Sequence, residues 1–198
     1  MKNIVVYVHG KGGSAAEAEH YKSLFSKSEI IGFDYHSQAP WESKEEFPKF
    51  FRELRSRCDS LILIANSIGA YFSLFSLDET LVDKAYLISP VVDMEKLICD
   101  MMKWANVSEK ELAEKSEIAT DFGEILSWRY LCYVREYQIK WSVPTCILYG
   151  DKDNLTSLET ISAFAAQHNA DLTVMKNGEH WFHTDEQMKF LDEWISKA

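Results

Sequence analysis

Short apolar runs alternate with longer stretches in which apolar positions recur at helical spacing. The runs Ile4–Val8, Ile30–Tyr35, Leu61–Ala65, Ala85–Ser89, Thr145–Tyr149 and Leu172–Met175 are rich in Val, Ile, Leu or Tyr. Such runs are expected where parallel strands are buried on both faces by crossover helices. Between them, Ser14–Lys27, Lys44–Arg57, Ile68–Leu77, Ser157–His168 and Asp185–Lys197 read as helices of ordinary length. Ser43 with Glu46 has the spacing of a capping box, in which the serine and the glutamate each satisfy an orphan amide of the other's backbone. In the last helix Met188, Leu191 and Ile195 share one side with Trp194 adjacent, so that side can dock on a sheet. The pattern predicts an α/β protein with about six parallel strands flanked by helices, in a single domain spanning the chain.

The alternation breaks between Asp93 and Trp141. A segment of this length is too long for a plain crossover, and its composition is helical throughout. Ser108 with Glu111 again has capping-box spacing, and Gly123 breaks the run ahead of a second long helix over Arg129–Gln138. The expectation is a helical lid of two or three helices inserted at about residues 94–141. It carries Met101, Met102, Trp104, Phe122, Trp128, Tyr130, Tyr133, Tyr137 and Trp141. Most of these are expected to glue the lid to the sheet. Trp104, Trp128 and Tyr130 are the candidates for lining an apolar acyl or aromatic pocket.

Charge and cysteine content narrow the function classes. Acidic residues number 31 against 21 basic ones, for a net charge of −10. Such a field repels phosphate backbones and anionic membrane surfaces, which argues against nucleic-acid and membrane partners; the partner expected below is a small-molecule substrate. The N-terminal run Ile4–Val8 is too short for a signal-peptide core, and no stretch reaches the roughly 18 apolar residues of a membrane span. The expected location is the cytoplasm. Cys58, Cys99, Cys132 and Cys146 lack the paired short spacing of a zinc site and the density of a disulfide scaffold, so four reduced, mostly buried thiols are expected.

Four loops carry candidate chemistry. His9-Gly10-Lys11-Gly12-Gly13-Ser14 follows the first strand and precedes a helix. Its glycines free backbone amides to face developing negative charge, as half of an oxyanion hole does. Both phosphate-loop spacings, G-x-x-x-x-G-K-[ST] and G-x-G-x-x-G, are lacking, and a merely tight strand-to-helix turn is the alternative. Ala65-Asn66-Ser67-Ile68-Gly69-Ala70 joins an apolar run to a helix, with small residues two before and two after a serine, as a strained nucleophile elbow requires. Ala65 stands where G-x-S-x-G has glycine, and without partners Ser67 would read as an ordinary helix cap. The partners lie after the fifth and sixth runs, in Tyr149-Gly150-Asp151-Lys152-Asp153-Asn154 and in Asn177-Gly178-Glu179-His180-Trp181-Phe182-His183. The carboxyl ends of parallel strands converge on one edge, and Ser, Asp, His is a hydrolase chain order.

Through HG-K-GG, A-N-S-I-G, YGDKD and GEHWF, in that order, the sequence resembles the α/β-hydrolase superfamily over nearly its whole length. The resemblance implies a three-layer fold and a compact member that begins at the superfamily's third strand. It implies a serine hydrolase acting through a Ser67, His180 and Asp153 triad and an acyl-enzyme on a small, largely uncharged ester, thioester or amide, most simply a carboxylic ester. Backbone N–H groups of Lys11 and Ile68 would form the oxyanion hole. No metal or cofactor is called for. Asp153 is favoured over Asp151, which is expected to cap the turn, and over Asp93, which closes the preceding strand run. His180 is favoured over His183, which would start the last helix. The other classes are a non-hydrolytic relative, such as an acyltransferase or lyase, and a catalytically inactive binding protein of the same fold.

Overall fold

The computed structural model describes residues 2–197. The chain divides into two compact units, Met1–Val92 with Lys140–Ala198, and Asp93–Ile139. In chain order the strands are β1 (Asn3–Val8), β2 (Glu29–Phe33), β3 (Ser60–Asn66), β4 (Lys84–Ile88), β5 (Glu117–Ala119), β6 (Ile125–Ser127), β7 (Thr145–Gly150) and β8 (Asp171–Met175). The helices are α1 (Pro40–Arg55), α2 (Ser67–Ser76), α3 (Met94–Trp104), α4 (Glu109–Lys115), α5 (Trp128–Glu136), α6 (Leu158–Gln167) and α7 (Asp185–Lys197).

The larger unit holds one parallel sheet in the order β2-β1-β3-β4-β7-β8, so all six expected strands are present. Burial on both faces explains their composition: Ile4, Val5, Val6, Tyr7 and Val8 are each at most 2% exposed. Val5, Tyr7, Ile64, Ile88 and Leu148 share one core cluster with Leu191, Trp194 and Ile195 of α7, and Met188 packs against it. The terminal helix is thus docked by the stripe expected of it. Around Phe33 and α1, aromatic rings form a second core, with Phe33 stacked on Phe50 at 4.0 Å and Phe47 edge-on to Phe72 of α2 at 6.1 Å.

Two elements of the larger unit differ from expectation. The segment Ser14–Lys27 is a 3₁₀ helix over Ala15–Lys22 rather than an α-helix, and within it only Ala18 and Tyr21 are buried. A spacing of three matches the 3₁₀ period and gives an α-helix no continuous apolar stripe. Helix α1 starts earlier than Lys44, with Pro40 in its first turn, where a fixed φ and a missing N–H cost nothing. Ser43 therefore lies inside the helix and donates its hydroxyl to the Pro40 carbonyl at 3.0 Å. Glu46 instead accepts backbone N–H groups of His36 and Ser37, both at 2.9 Å.

The smaller unit, Asp93–Ile139, is not helical throughout. Between α4 and α5, β5 and β6 form an antiparallel hairpin, whose turn is closed by Gly123 N–H to Thr120 O at 3.1 Å, with Gly123 at φ +84°. Gly123 thus supplies a turn conformation rather than a simple break between helices. Ser108 does cap α4, accepting the Glu111 N–H at 3.2 Å. Leu112, Leu126 and Leu131 are buried to within 1%, and Arg135 of α5 forks to Glu109 of α4 and Glu95 of α3. The thiols are less buried than expected: only Cys146 is buried, Cys58 and Cys99 are partly exposed, and Cys132 is exposed.

Candidate active site

From β1 the chain crosses to β2 on one side and later returns to β3 on the other. Such a reversal opens a crevice at the carboxyl ends of the two diverging strands. The glycine loop after β1 and the serine turn after β3 both lie at this reversal, because Val8 pairs with Ala65 at the ends of the two strands.

Ser67 sits at φ +51° between β3 and α2, a left-handed conformation that costs a non-glycine residue about 1–2 kcal/mol. The strain turns the chain abruptly from strand into helix. Gly69 makes the turn possible, because a Cβ there would lie 2.2 Å from the His9 carbonyl oxygen. Ala65 is fully buried in β3 and pairs with Val8 on one side and Leu87 on the other. The site accommodates its methyl group. The Val91 N–H ties the elbow from outside, donating to the Ser67 carbonyl at 3.1 Å. Gly69→Ala should cost about 2–3 kcal/mol through overpacking against main chain. Urea unfolding checks this, and an unchanged midpoint would mean that the close approach is dispensable.

The glycine loop rests on this elbow: a Cβ on Gly10 would lie 3.1 Å from that of Ser67. Its turn is closed by Gly13 N–H to Gly10 O at 3.1 Å, with Gly12 at φ +75°. Lys11 lies within this turn. The Ile68 N–H lies in the first turn of α2, where amides have no acceptor four residues back.

The carboxylate and imidazole come from the next two loops. Asp153 Oδ2 is 2.7 Å from His180 Nδ1, with the Asp153 side chain fully buried and His180 14% exposed. Asp153 Oδ1 accepts the N–H groups of Leu155 at 2.8 Å and Thr156 at 3.0 Å, so the carboxylate has both position and orientation fixed. With Nδ1–H given to a carboxylate, His180 presents Nε2 as an acceptor. That atom is 2.8 Å from Ser67 Oγ. The two loops are fastened together, because Lys152 N–H donates to Gly178 O at 2.8 Å and a Cβ on Gly150 would lie 2.3 Å from the same oxygen. Burial first, then the charges of Asp153 and Asp151, push the Tyr149 phenol above its ordinary range. Tyr149 stays protonated and donates to Thr156 O at 2.7 Å.

The rival residues are engaged elsewhere. Asp151 does not cap its own turn; its Oδ1 accepts the Asn177 N–H from the neighbouring loop at 2.6 Å. Asp93 caps α3, accepting the Lys96 N–H at 2.8 Å. His183 lies ahead of α7, stacked on Trp181 with centroids 4.3 Å apart, its Nδ1 2.7 Å from Trp181 O. Within the smaller unit Trp104 is 53% exposed and meets Phe122 edge-on at 6.2 Å, while Trp128 and Tyr130 are half-buried. Trp141 belongs to the larger unit, buried with its Nε1–H on Thr145 Oγ1 at 2.7 Å.

Two residues beside the glycine loop had drawn no attention in the sequence. Tyr7, buried in β1, donates its hydroxyl to Glu17 Oε2 at 2.5 Å, and Glu17 Oε1 accepts the Ser14 N–H at 2.9 Å. The legible signal was Ser14-Ala15-Ala16-Glu17, an S-x-x-E spacing at the mouth of a helical segment. Among the described residues, no His, Cys, Asp and Glu side chains gather in a group suited to a metal ion. No helix among them is long and apolar enough to cross a membrane.

No protein-family model and no curated protein matches the sequence. Solved structures do match the fold. Est1E from Butyrivibrio proteoclasticus superposes with a TM-score of 0.75 at 14% identity, covering 99% of this chain and 86% of that one. Alpha/beta hydrolase domain-containing protein 10 from mouse gives 0.74 at 16% identity, covering 98% and 87%. An esterase from Pyrococcus furiosus gives 0.64 at 17% identity, covering 99% and 80%. The chain has the α/β-hydrolase fold, a sheet of six parallel strands flanked by helices.

Proposed function

We propose that the protein is a serine hydrolase that cleaves a small, largely uncharged ester, thioester or amide, with a carboxylic ester as the simplest case. One observation carries the reading: the run of hydrogen bonds from Ser67 Oγ through His180 to the buried carboxylate of Asp153. A serine hydroxyl is a weak nucleophile unless a base accepts its proton as it attacks, and a base works best when its own orientation is fixed.

In the proposed reaction Ser67 Oγ attacks the acyl carbon while its proton passes to His180 Nε2. Asp153 holds the ring and offsets the positive charge that develops on it. The oxygen of the tetrahedral intermediate accepts the N–H groups of Ile68 and Lys11. Collapse of the intermediate expels the leaving group, which takes the proton from Nε2. Water, deprotonated by His180, then releases the acid from the acyl-enzyme. A net charge of −10 disfavours highly anionic substrates. The indole of Trp181, which follows His180 in the chain and is 67% exposed, offers an apolar surface to a substrate. The free thiols suit a reducing compartment such as the cytoplasm.

The test combines a fluorophosphonate probe with a series of p-nitrophenyl esters of increasing acyl length. The probe should label the protein stoichiometrically, and the esters should turn over with a maximum at one chain length. Labelling without release of acid, but with transfer to an added alcohol or thiol, would make the protein an acyltransferase. Folded protein that neither reacts with the probe nor cleaves any ester would exclude covalent serine chemistry.

A further inference from the structure

Glu17 holds the glycine loop at its far end. Its carboxylate accepts the Ser14 N–H through Oε1 at 2.9 Å and the Tyr7 hydroxyl through Oε2 at 2.5 Å. It also lies so close to Gly13 that a Cβ there would sit 2.7 Å from Oε1. The loop's near end instead rests on the elbow, where a Cβ on Gly10 would lie 3.1 Å from that of Ser67. Lys11, whose N–H is one of the two donors assigned to the oxyanion, lies between the two anchors. Tyr7 is itself buried, 2% exposed near the carboxyl end of β1 and packed on Tyr21 at 5.2 Å. Burial, with Tyr21 and Glu17 beside it, keeps the phenol protonated.

We infer that the Tyr7–Glu17 pair is a positioning device that sets the Lys11 N–H against the elbow, and that neither residue takes part in bond making. The inference rests on the proposed serine-hydrolase reaction. Loosening the loop weakens only the contact to the oxyanion, which is strongest in the transition state. It should therefore appear in kcat and spare KM.

Tyr7→Phe removes one oxygen and keeps the ring. Rates are normalised to sites titrated with a fluorophosphonate, so that unfolded protein does not count. On the best p-nitrophenyl ester, kcat per titrated site should fall roughly tenfold with KM within about twofold. The inhibition constant of an alkyl boronic acid, whose adduct places an oxygen where the oxyanion forms, should rise by about the same factor. Glu17→Ala should act in the same direction. Glu17→Gln, which keeps an acceptor for the Ser14 N–H, should recover part of the loss. Unchanged kcat and boronate inhibition in Tyr7→Phe would overturn the inference, as would a rise in KM alone. A wild-type protein inert to probe and ester would overturn both it and the proposed reaction, whereas an active wild type matched by Tyr7→Phe overturns the positioning role alone.

Discussion

Ser67→Ala is expected to lower turnover by about 10⁴- to 10⁶-fold and to abolish fluorophosphonate labelling, because the bond-forming atom is gone while the rest of the site persists. Ser67→Gly should be equally inactive, but the two variants should differ in stability. Ser67 occupies φ +51°, a conformation that glycine adopts freely and alanine does not. Glycine at this position should therefore exceed alanine by about 1 kcal/mol in urea unfolding. Equal stability of the two would mean that the turn relaxes when the hydroxyl is lost, and that its strain belongs to the side chain's hydrogen bond rather than to the backbone. Residual turnover near the wild-type rate in either variant would remove Ser67 from the reaction.

The second large effect separates two aspartates in the same loop. Asp153→Asn leaves shape and volume nearly unchanged, yet it can present an NH₂ where the imidazole Nδ1–H needs an acceptor. The ring is then driven toward the wrong tautomer, for a loss in kcat of about 10⁴. Asp151→Asn should fall within a few-fold of wild type, because the Asn177 N–H that Asp151 accepts can be accepted equally by an amide oxygen. The ratio of the two kcat values is the measurement, and the opposite ranking would transfer the acid role to Asp151. Neither variant tests the fold: Asp153 lies at the bottom of the site with Oδ1 on two backbone amides, and asparagine can retain those contacts.

Much of this arrangement was legible because its determinants are local. A run such as Ile4–Val8, apolar at every position, identifies a strand covered on both faces, and the turn residues that end each run mark where the sheet presents its chemistry. The serine, the histidine and their order could be read in the same way. What stayed hidden depends on contacts between distant segments. The first helical segment is 3₁₀ because only Ala18 and Tyr21 face the core, which depends on how β1 and β2 place it. The hairpin of the smaller unit has only three residues per strand, too few to establish a period. Burial of the thiols failed as an expectation because cysteine's general preference for interiors says nothing about Cys132 on one helix face. Glu17 was missed although its capping-box spacing was visible, since its second partner, Tyr7, reaches it through the tertiary fold.

The register of the sheet makes the site a matter of counting. Val8 and Ala65 are paired at the ends of adjacent strands, and Lys11 and Ile68, the residues proposed as oxyanion donors, each stand three positions beyond their member of that pair. One residue added or removed in either turn would move a donor by up to about 3.8 Å, further than a hydrogen bond can stretch. A substitution in the same turn leaves the count intact. What a lineage must keep here is distance measured in residues, and a chain can drift far in composition while that measure holds.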